Sequence, residues 1–150
     1  MSKCVVDTNV PLVANRALDA EVPPELCKCV LACVTAVERI IKEGGLVLDA
    51  GGEIFNEYRH DLSLKGQPGM GDRFLKWVHD NQWGFPEEDH VTITKNGDSY
   101  DEFPRHEGLR TFDRSDRKFV AVANAHPAKP PILQAIDSKW WGWKDALSQA

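Results

Sequence analysis

Two kinds of apolar pattern run along the chain. Short β-branched or leucine-rich runs at 3–7 (KCVVD) and 46–50 (LVLDA) predict buried strands, each with an aspartate at or near its end. The segment 24–43 has apolar residues three or four positions apart, which predicts a helix with one buried face that stops at Gly44-Gly45. The apolar positions of this face are Leu26, Val30, Cys33, Val34, Val37, Ile40 and Ile41.

The same alternation continues to the end of the sequence. Helical spacing and breakers predict further helices over 11–18, 53–64, 71–82, 114–125 and 138–150. Strands are predicted at 90–94 and at 130–137, where PPILQAID again finishes on an aspartate, and Asn96-Gly97 predicts a hairpin turn. Strands that alternate with helices favour an α/β fold with a parallel sheet.

Length and composition place the chain among ordinary globular proteins. A chain of 150 residues, 42% hydrophobic and 27% charged, fits one domain over 1–150. No apolar run approaches the roughly 20 residues that a membrane span requires. The first residues also lack the apolar segment of a signal peptide. The sequence therefore predicts a cytoplasmic protein with no membrane partner.

The net charge and the cysteine content limit the kinds of binding and catalysis that the sequence predicts. The net charge of −5 argues against a protein that binds nucleic acid through bulk electrostatics alone, although acids that hold divalent cations would change the local sign. Of the four cysteines, Cys4, Cys27, Cys29 and Cys33, the last two share a helix face. No further soft ligands follow at zinc-site spacing. We interpret the cysteines as small apolar residues, with a metal or redox site as the alternative.

Aspartates stand at the ends of three predicted strands. Asp7, Asp49 and Asp137 each close an apolar run. In an open parallel sheet, ligands bind beyond the carboxyl ends of the strands. If the three strands are neighbours, their acids meet at one edge, and the predicted helices 53–64 and 114–125 begin at that edge.

Those two helices add further carboxylates. Glu57 lies one turn into the first helix, and Asp113 and Asp116 lie at the start of the second. Clustered carboxylates repel one another unless a cation lies between them. Oxygen ligands suit Mg²⁺ or Mn²⁺, and a pair of such ions about 4 Å apart activates water and stabilises the leaving oxygen of a phosphodiester.

Four segments, in order, resemble the motifs of PIN-domain ribonucleases: VVDTNV, LVLDAGGEIFNEYRHDL, DRSDRKFVAVANA and ILQAID. The resemblance covers most of the chain except 66–110, which we interpret as a family-specific insertion that either shapes substrate entry or only extends the fold. It departs from many relatives at Lys139, where they have a second acid. The catalytic and metal-ligating residues that it implies are Asp7, Glu57, Asp116 and Asp137, with Asn9 and Asp113 in supporting roles.

The resemblance also implies a fold and an activity. The expected fold is a three-layer α/β/α sandwich with a mostly parallel central sheet. The expected activity is that of an Mg²⁺- or Mn²⁺-dependent endoribonuclease that hydrolyses RNA phosphodiester bonds. Many members of the family are dimeric toxins of toxin–antitoxin pairs, so the implied partners are RNA, an antitoxin protein and a second copy of the chain. Two alternatives are a catalytically weak module that binds RNA or a partner, which Lys139 favours, and a metal-dependent phosphatase.

Several candidate residues also have structural interpretations. Asp113 suits the N-cap of its helix, and Asp116 suits the first turn near the helix dipole. Asp49 is either a site residue or the cap of the helix at 53–64. Glu57 has an alternative as an exposed helical glutamate, and Glu38 is expected at the surface.

Basic and aromatic residues near the predicted site have two interpretations each. The cations bind RNA phosphates, or they form a solvated helix face. The tryptophans of 140–143 stack on bases, or they anchor a terminal helix or a dimer interface. The cations predicted to contact RNA are Arg110, Arg114, Arg117 and Lys118.

Overall fold

A computed structural model describes residues 2–18, 24–64, 69–105, 107–109 and 112–135 of the chain. Some predicted features lie outside the described residues. These features are Asp137, Arg110, Lys139, the tryptophans of 140–143 and the helix predicted over 138–150.

Among the described residues, four short strands pair in parallel and two pair antiparallel as a hairpin. They are β1 (Val5–Val6), β2 (Leu48–Asp49), β3 (His90–Val91), β4 (Lys95–Asn96), β5 (Ser99–Tyr100) and β6 (Ile132–Leu133). β1 pairs in parallel with β6, and β2 pairs in parallel with β3. An isolated parallel bridge between Cys4 and Leu46, just before β1 and β2, links these two two-stranded sheets. The described chain is therefore a mixed α/β structure.

The described residues also form five α-helices. They are α1 (Asn9–Asn15), α2 (Pro24–Glu43), α3 (Glu53–Asp61), α4 (Met70–Asn81) and α5 (Arg117–Ala125). The bounds of α2 are those predicted, and it ends where Gly44 and Gly45 take φ values of 79° and 89°, which a residue with a side chain rarely adopts. Within the described ranges, no helix combines the length and the apolar composition that crossing a membrane requires.

Several element boundaries differ from the prediction, including the end of α3, which lies at Asp61 and not at 64. α1 begins at Asn9, two residues early, because the turn after Asp7 leads straight into it. The strand predicted over 90–94 pairs only at β3, since Thr94 turns away to bond with residues of the hairpin. The helix predicted from 114 starts as a 3-10 turn, Arg114–Asp116. The hairpin itself is confirmed, with Gly97 at φ 62° in its loop.

The main core lies between the parallel strands and the helices. It includes Val5 and Val6 of β1, and it extends into the segment 66–110 through Phe74, Leu75 and Val78 of α4. Val91 of β3 belongs to the same core. Much of that segment is therefore built into the central packing and supplies one strand of the parallel set.

A buried ionic network lies at the amino ends of the strands. Lys3 precedes β1, Asp89 directly precedes β3, and His126 follows α5 on the way to β6. The Asp89 carboxylate accepts hydrogen bonds from the Lys3 ammonium and from Nε2 of His126, the latter at 3.0 Å. Nδ1 of His126 accepts the N–H of Ala128 at 3.0 Å, which assigns the ring hydrogen to Nε2. The network joins the starts of β1 and β3 to the end of α5.

Candidate functional site

Asp7 lies at the carboxyl end of β1 and is buried, with 3% of its surface exposed. Its backbone N–H donates to the carbonyl of Leu133, so the ends of β1 and β6 lie side by side. Its Oδ1 accepts the backbone N–H of Asn9 at 2.9 Å. This local bond starts α1 and fixes the carboxylate, as short acidic side chains do at helix starts. Asn9 thus supports Asp7 through its main chain.

Glu57 of α3 connects three elements at the same edge. Its Oε2 accepts a hydrogen bond from the hydroxyl of Thr8, the residue after Asp7. Its Oε1 lies 2.6 Å from the ammonium of Lys118 in α5. Both oxygens of this carboxylate are therefore engaged within the chain. The interpretation of Glu57 as an exposed helical glutamate does not describe it, because its carboxylate contacts Thr8 and Lys118 and its side chain is only 24% exposed.

Asp116 is the last residue of the 3-10 turn before α5 and is buried, with 8% exposed. Its backbone N–H donates to the carbonyl of Asp113 at 3.2 Å. Asp116 occupies the N-cap position of α5 without a side-chain capping bond, and Asp113 directly precedes the 3-10 turn that leads into the helix. Oδ2 of Asp116 and Oδ2 of Asp7 are both inaccessible to solvent.

Asp49 has a structural role. Its Oδ2 accepts the backbone N–H of Glu53 and its Oδ1 accepts that of Ile54, both at 2.8 Å. These two bonds satisfy amide groups at the first turn of α3 that have no partner inside the helix. The interpretation of Asp49 as the cap of this helix is confirmed.

Tyr58 lies beneath the acids. It is fully buried, and its hydroxyl donates to the carbonyl of Val6 at 2.6 Å. Burial raises the pKa of Tyr58 well above its usual value, and nearby negative charges raise it further, with Asp7 the largest of these and Glu57 and Asp49 also contributing. Asp7, Glu57 and Asp49 therefore all act electrostatically on the same buried tyrosine.

The hairpin reaches the same edge. The Tyr100 hydroxyl donates to Oε2 of Glu53, and the Lys95 ammonium lies 3.1 Å from Oε1 of Glu53. Burial alone would raise the pKa of Glu53, but the hydrogen bonds from Tyr100 and Lys95 outweigh burial and lower it. No pattern in the sequence indicates these partners, because Tyr100 and Lys95 lie in the segment that has no counterpart in the resemblance.

Three of the cations predicted to contact RNA make contacts within the chain. Arg117 donates through Nε and Nη2 to the carbonyl of Phe112, at 3.1 and 3.0 Å, and its guanidinium lies over the Phe103 ring. Lys118 pairs with Glu57, as described above. Arg114 is exposed and pairs with Asp98 at 3.1 Å. For these residues, contact with RNA stays a prediction.

The cysteines match the apolar interpretation in part. Cys4 and Cys33 are buried, Cys29 is half-buried and Cys27 is exposed, and all four are free thiols. Burial raises the pKa of Cys33 to about 12, and the neighbouring Cys29 adds to the shift. A thiol held neutral in this way is a poor nucleophile and a poor metal ligand.

The acids at the carboxyl edge have the type of ligand atom that a divalent cation prefers. Buried carboxylate oxygens are the ligands that Mg²⁺ and Mn²⁺ prefer. Within the part of the chain that the structure describes, however, no three His, Cys, Asp or Glu side chains form a group that could hold an ion. Asp137, the fourth predicted ligand, lies outside the described residues. The donor chemistry therefore fits, while the described arrangement does not by itself supply three ligands.

No family model, curated protein or solved structure matches this chain. The resemblance to PIN-domain ribonucleases thus depends on the four sequence motifs. The structure adds the positions of Asp7, Glu57 and Asp116 relative to the strands.

Proposed function

We propose that this chain is a divalent-metal-dependent endoribonuclease with a PIN-like three-layer α/β/α fold. One observation supports it most directly. Asp7 follows β1, its neighbour Thr8 donates to Glu57 of α3, and Glu57 pairs with Lys118, which lies two residues after Asp116. Acids from three of the four motifs thus belong to elements that meet at one edge of the parallel strands.

The proposed metal ligands are Asp7, Glu57, Asp116 and Asp137. A bound Mg²⁺ or Mn²⁺ supplies an acidified water and neutralises charge on the departing phosphodiester oxygen. The chain holds its own carboxylates in place before any ion binds. The Asn9 N–H fixes Oδ1 of Asp7, the Thr8 hydroxyl fixes Oε2 of Glu57, and burial keeps bulk water from Asp7 and Asp116.

Cleavage of RNA tests the proposal. Purified protein is incubated with labelled single-stranded RNA and Mn²⁺ or Mg²⁺, and products are resolved on a gel. We expect internal cleavage that EDTA stops and that Asp7→Asn lowers by about 100-fold or more, since removing a group that acts on the developing charge has effects of that order. Asp61→Asn, at an exposed position of α3, is the matched control and is expected to cleave normally.

Two results would reject the nuclease proposal. The first is a folded wild-type protein that leaves RNA intact with both ions. The second is an Asp7→Asn variant that cleaves as fast as the wild type. Phosphomonoesters are included in the same assay, because preferential release of phosphate from them would favour the phosphatase alternative.

The proposal extends to a cytoplasmic toxin that works as a homodimer and is restrained by an antitoxin protein. The support for these partners is the resemblance of the motifs alone. Induced expression in a bacterial host tests the toxin role. We expect growth arrest with the wild-type chain and normal growth with Asp7→Asn at equal protein level, whereas equal growth of both would reject it.

A second candidate is a module that binds RNA or a partner without cutting. It is favoured because both oxygens of Glu57 are already engaged and because the described residues include no three-ligand group. Fluorescence anisotropy with labelled RNA distinguishes it: RNA binding that leaves the strand intact in the presence of Mn²⁺ is its expected result.

A further inference from the structure

The ion pair between Lys118 and Glu57 is the most shielded cation contact at the acidic edge. The two charged atoms are 2.6 Å apart, and the Lys118 side chain is only 12% exposed. The other pair at this edge, between Lys95 and Glu53, is longer at 3.1 Å, and Lys95 is 70% exposed. Charge-assisted bonds shielded from water are stronger than exposed ones.

Lys118 is also positioned by its surroundings. Its ammonium lies 5.2 Å from the centre of the Phe119 ring, a contact that favours a cation. Its charge contributes to lowering the pKa of Glu53, so its field reaches both glutamates of α3. Lys118 therefore supplies positive charge close to Glu57 and adds to that of Lys95 near Glu53.

We propose that Lys118 is an internal counter-ion that competes with the divalent cation for Glu57. This inference rests on the metal site of the proposed function. In the structure described here, Oε1 of Glu57 is held by Lys118 and Oε2 by Thr8. The ammonium at Oε1 repels an approaching cation, so an ion binds Glu57 more favourably once the ammonium has left, and the flexible four-carbon stem of lysine allows that movement.

This competition has a measurable consequence for metal affinity. Breaking the Lys118–Glu57 pair opposes metal binding in the wild type, and a neutral side chain of similar length removes that opposition. Without metal, the same change leaves Glu57 beside the other acids with no counter-ion. Lys118 therefore stabilises the metal-free protein and lowers its affinity for the divalent cation.

The test compares Mn²⁺ binding by calorimetry for the wild type, Lys118→Met and Lys95→Met. We expect Lys118→Met to bind Mn²⁺ about tenfold more tightly, since a shielded charge-assisted bond is worth about that factor. Lys95→Met removes one positive charge from the same edge without touching Glu57, and its affinity is expected to stay within about twofold of the wild type because exposed pairs contribute little. Lys118→Gln provides a second neutral variant, and Lys118→Arg restores the charge.

Thermal unfolding gives a second readout. Lys118→Met is expected to melt below the wild type in EDTA and to gain more than the wild type when Mn²⁺ is added. Equal Mn²⁺ affinity in folded Lys118→Met, Lys118→Gln and wild type would overturn the counter-ion inference and leave the metal site standing. Equal tightening in Lys95→Met would overturn it too, because net charge alone would then explain the effect. Absence of Mn²⁺ binding in every variant would reject the metal-dependent function itself and the inference with it.

Discussion

The hydroxyl of Tyr58 donates a 2.6 Å hydrogen bond to the carbonyl of Val6, the residue immediately before Asp7. This contact joins α3 to the end of β1 from inside the core. Tyr58→Phe leaves the ring packing in place but leaves that buried carbonyl without this donor. We expect a loss of about 1–3 kcal/mol in the free energy of unfolding, measured in urea. An unchanged urea midpoint would show that this hydrogen bond does not contribute to stability.

Tyr58 also predicts a loss of stability in alkaline solution. Because burial raises its pKa in the folded protein, the unfolded chain releases this proton first, near the usual value of 10.0. The folded state then binds more protons than the unfolded state, so the contribution is fully present below pH 10 and falls as the pH rises further. Melting temperatures between about pH 8 and 11 should fall more steeply for the wild type than for Tyr58→Phe. Parallel curves would contradict this prediction.

Glu53 predicts the opposite dependence in acid. Its pKa is lowered by Tyr100 and Lys95 despite burial, so the unfolded chain takes up the proton first as the pH falls below 4.5. The stability it contributes is present above that pH and is lost as the pH falls through the folded pKa. Glu53→Gln should therefore reduce the difference in melting temperature between neutral and acidic solution. A difference as large as that of the wild type would count against the role of the hairpin contacts.

Gly71 marks a close approach between α4 and α1. A Cβ at this position would lie 1.9 Å from the backbone carbonyl oxygen of Pro11, and that oxygen cannot rotate away as a side chain can. Gly71→Ala should cost about 3 kcal/mol or more by forcing the two helices apart. Gly84→Ala is the control, because a Cβ there meets no atom within 4 Å, and it should change stability by less than about 0.5 kcal/mol. Chemical denaturation of the two variants measures both effects.

The network of Lys3, Asp89 and His126 should contribute to folding and not to chemistry. Asp89→Asn replaces a buried acceptor of two hydrogen bonds by an amide that faces two donors, and we expect it to cost about 3 kcal/mol. Asp80→Asn breaks the exposed pair with Lys76, and it should cost less than about 1 kcal/mol. Because the network lies at the amino ends of the strands, Mn²⁺ affinity of the folded Asp89→Asn protein should be unchanged. A large change in that affinity would show that the two edges are coupled.

Sequence patterns predict the bounds of an element well when those bounds depend on neighbouring residues in the chain, and poorly when they depend on a distant partner. An apolar face followed by two glycines predicts α2 over its observed bounds, and the structure places both glycines in left-handed conformation. The strand at 90–94 was predicted too long because strand length depends on the partner. β2 offers its neighbour only two paired positions, opposite His90 and Val91.

The sequence predicts only those site residues that lie at strand ends or near helix starts. Asp7, Glu57 and Asp116 stood out because each has a regular position relative to a strand or a helix start. The partners of Glu57 did not, because Thr8 and Lys118 meet it only through tertiary packing. Asp89 and His126 were missed for the same reason, since nothing near either residue indicates that they form a buried pair.

The pairing of β1 with β6 has a consequence for how the protein is made. Val5 lies opposite Ile132, with nearly all of the described chain between them. On the ribosome, β1 emerges long before its neighbour, and one side of an apolar strand stays open to other nascent chains during that interval. Such distant pairing is slow to form. More chaperone or slower synthesis should therefore increase the amount of native protein that a cell accumulates.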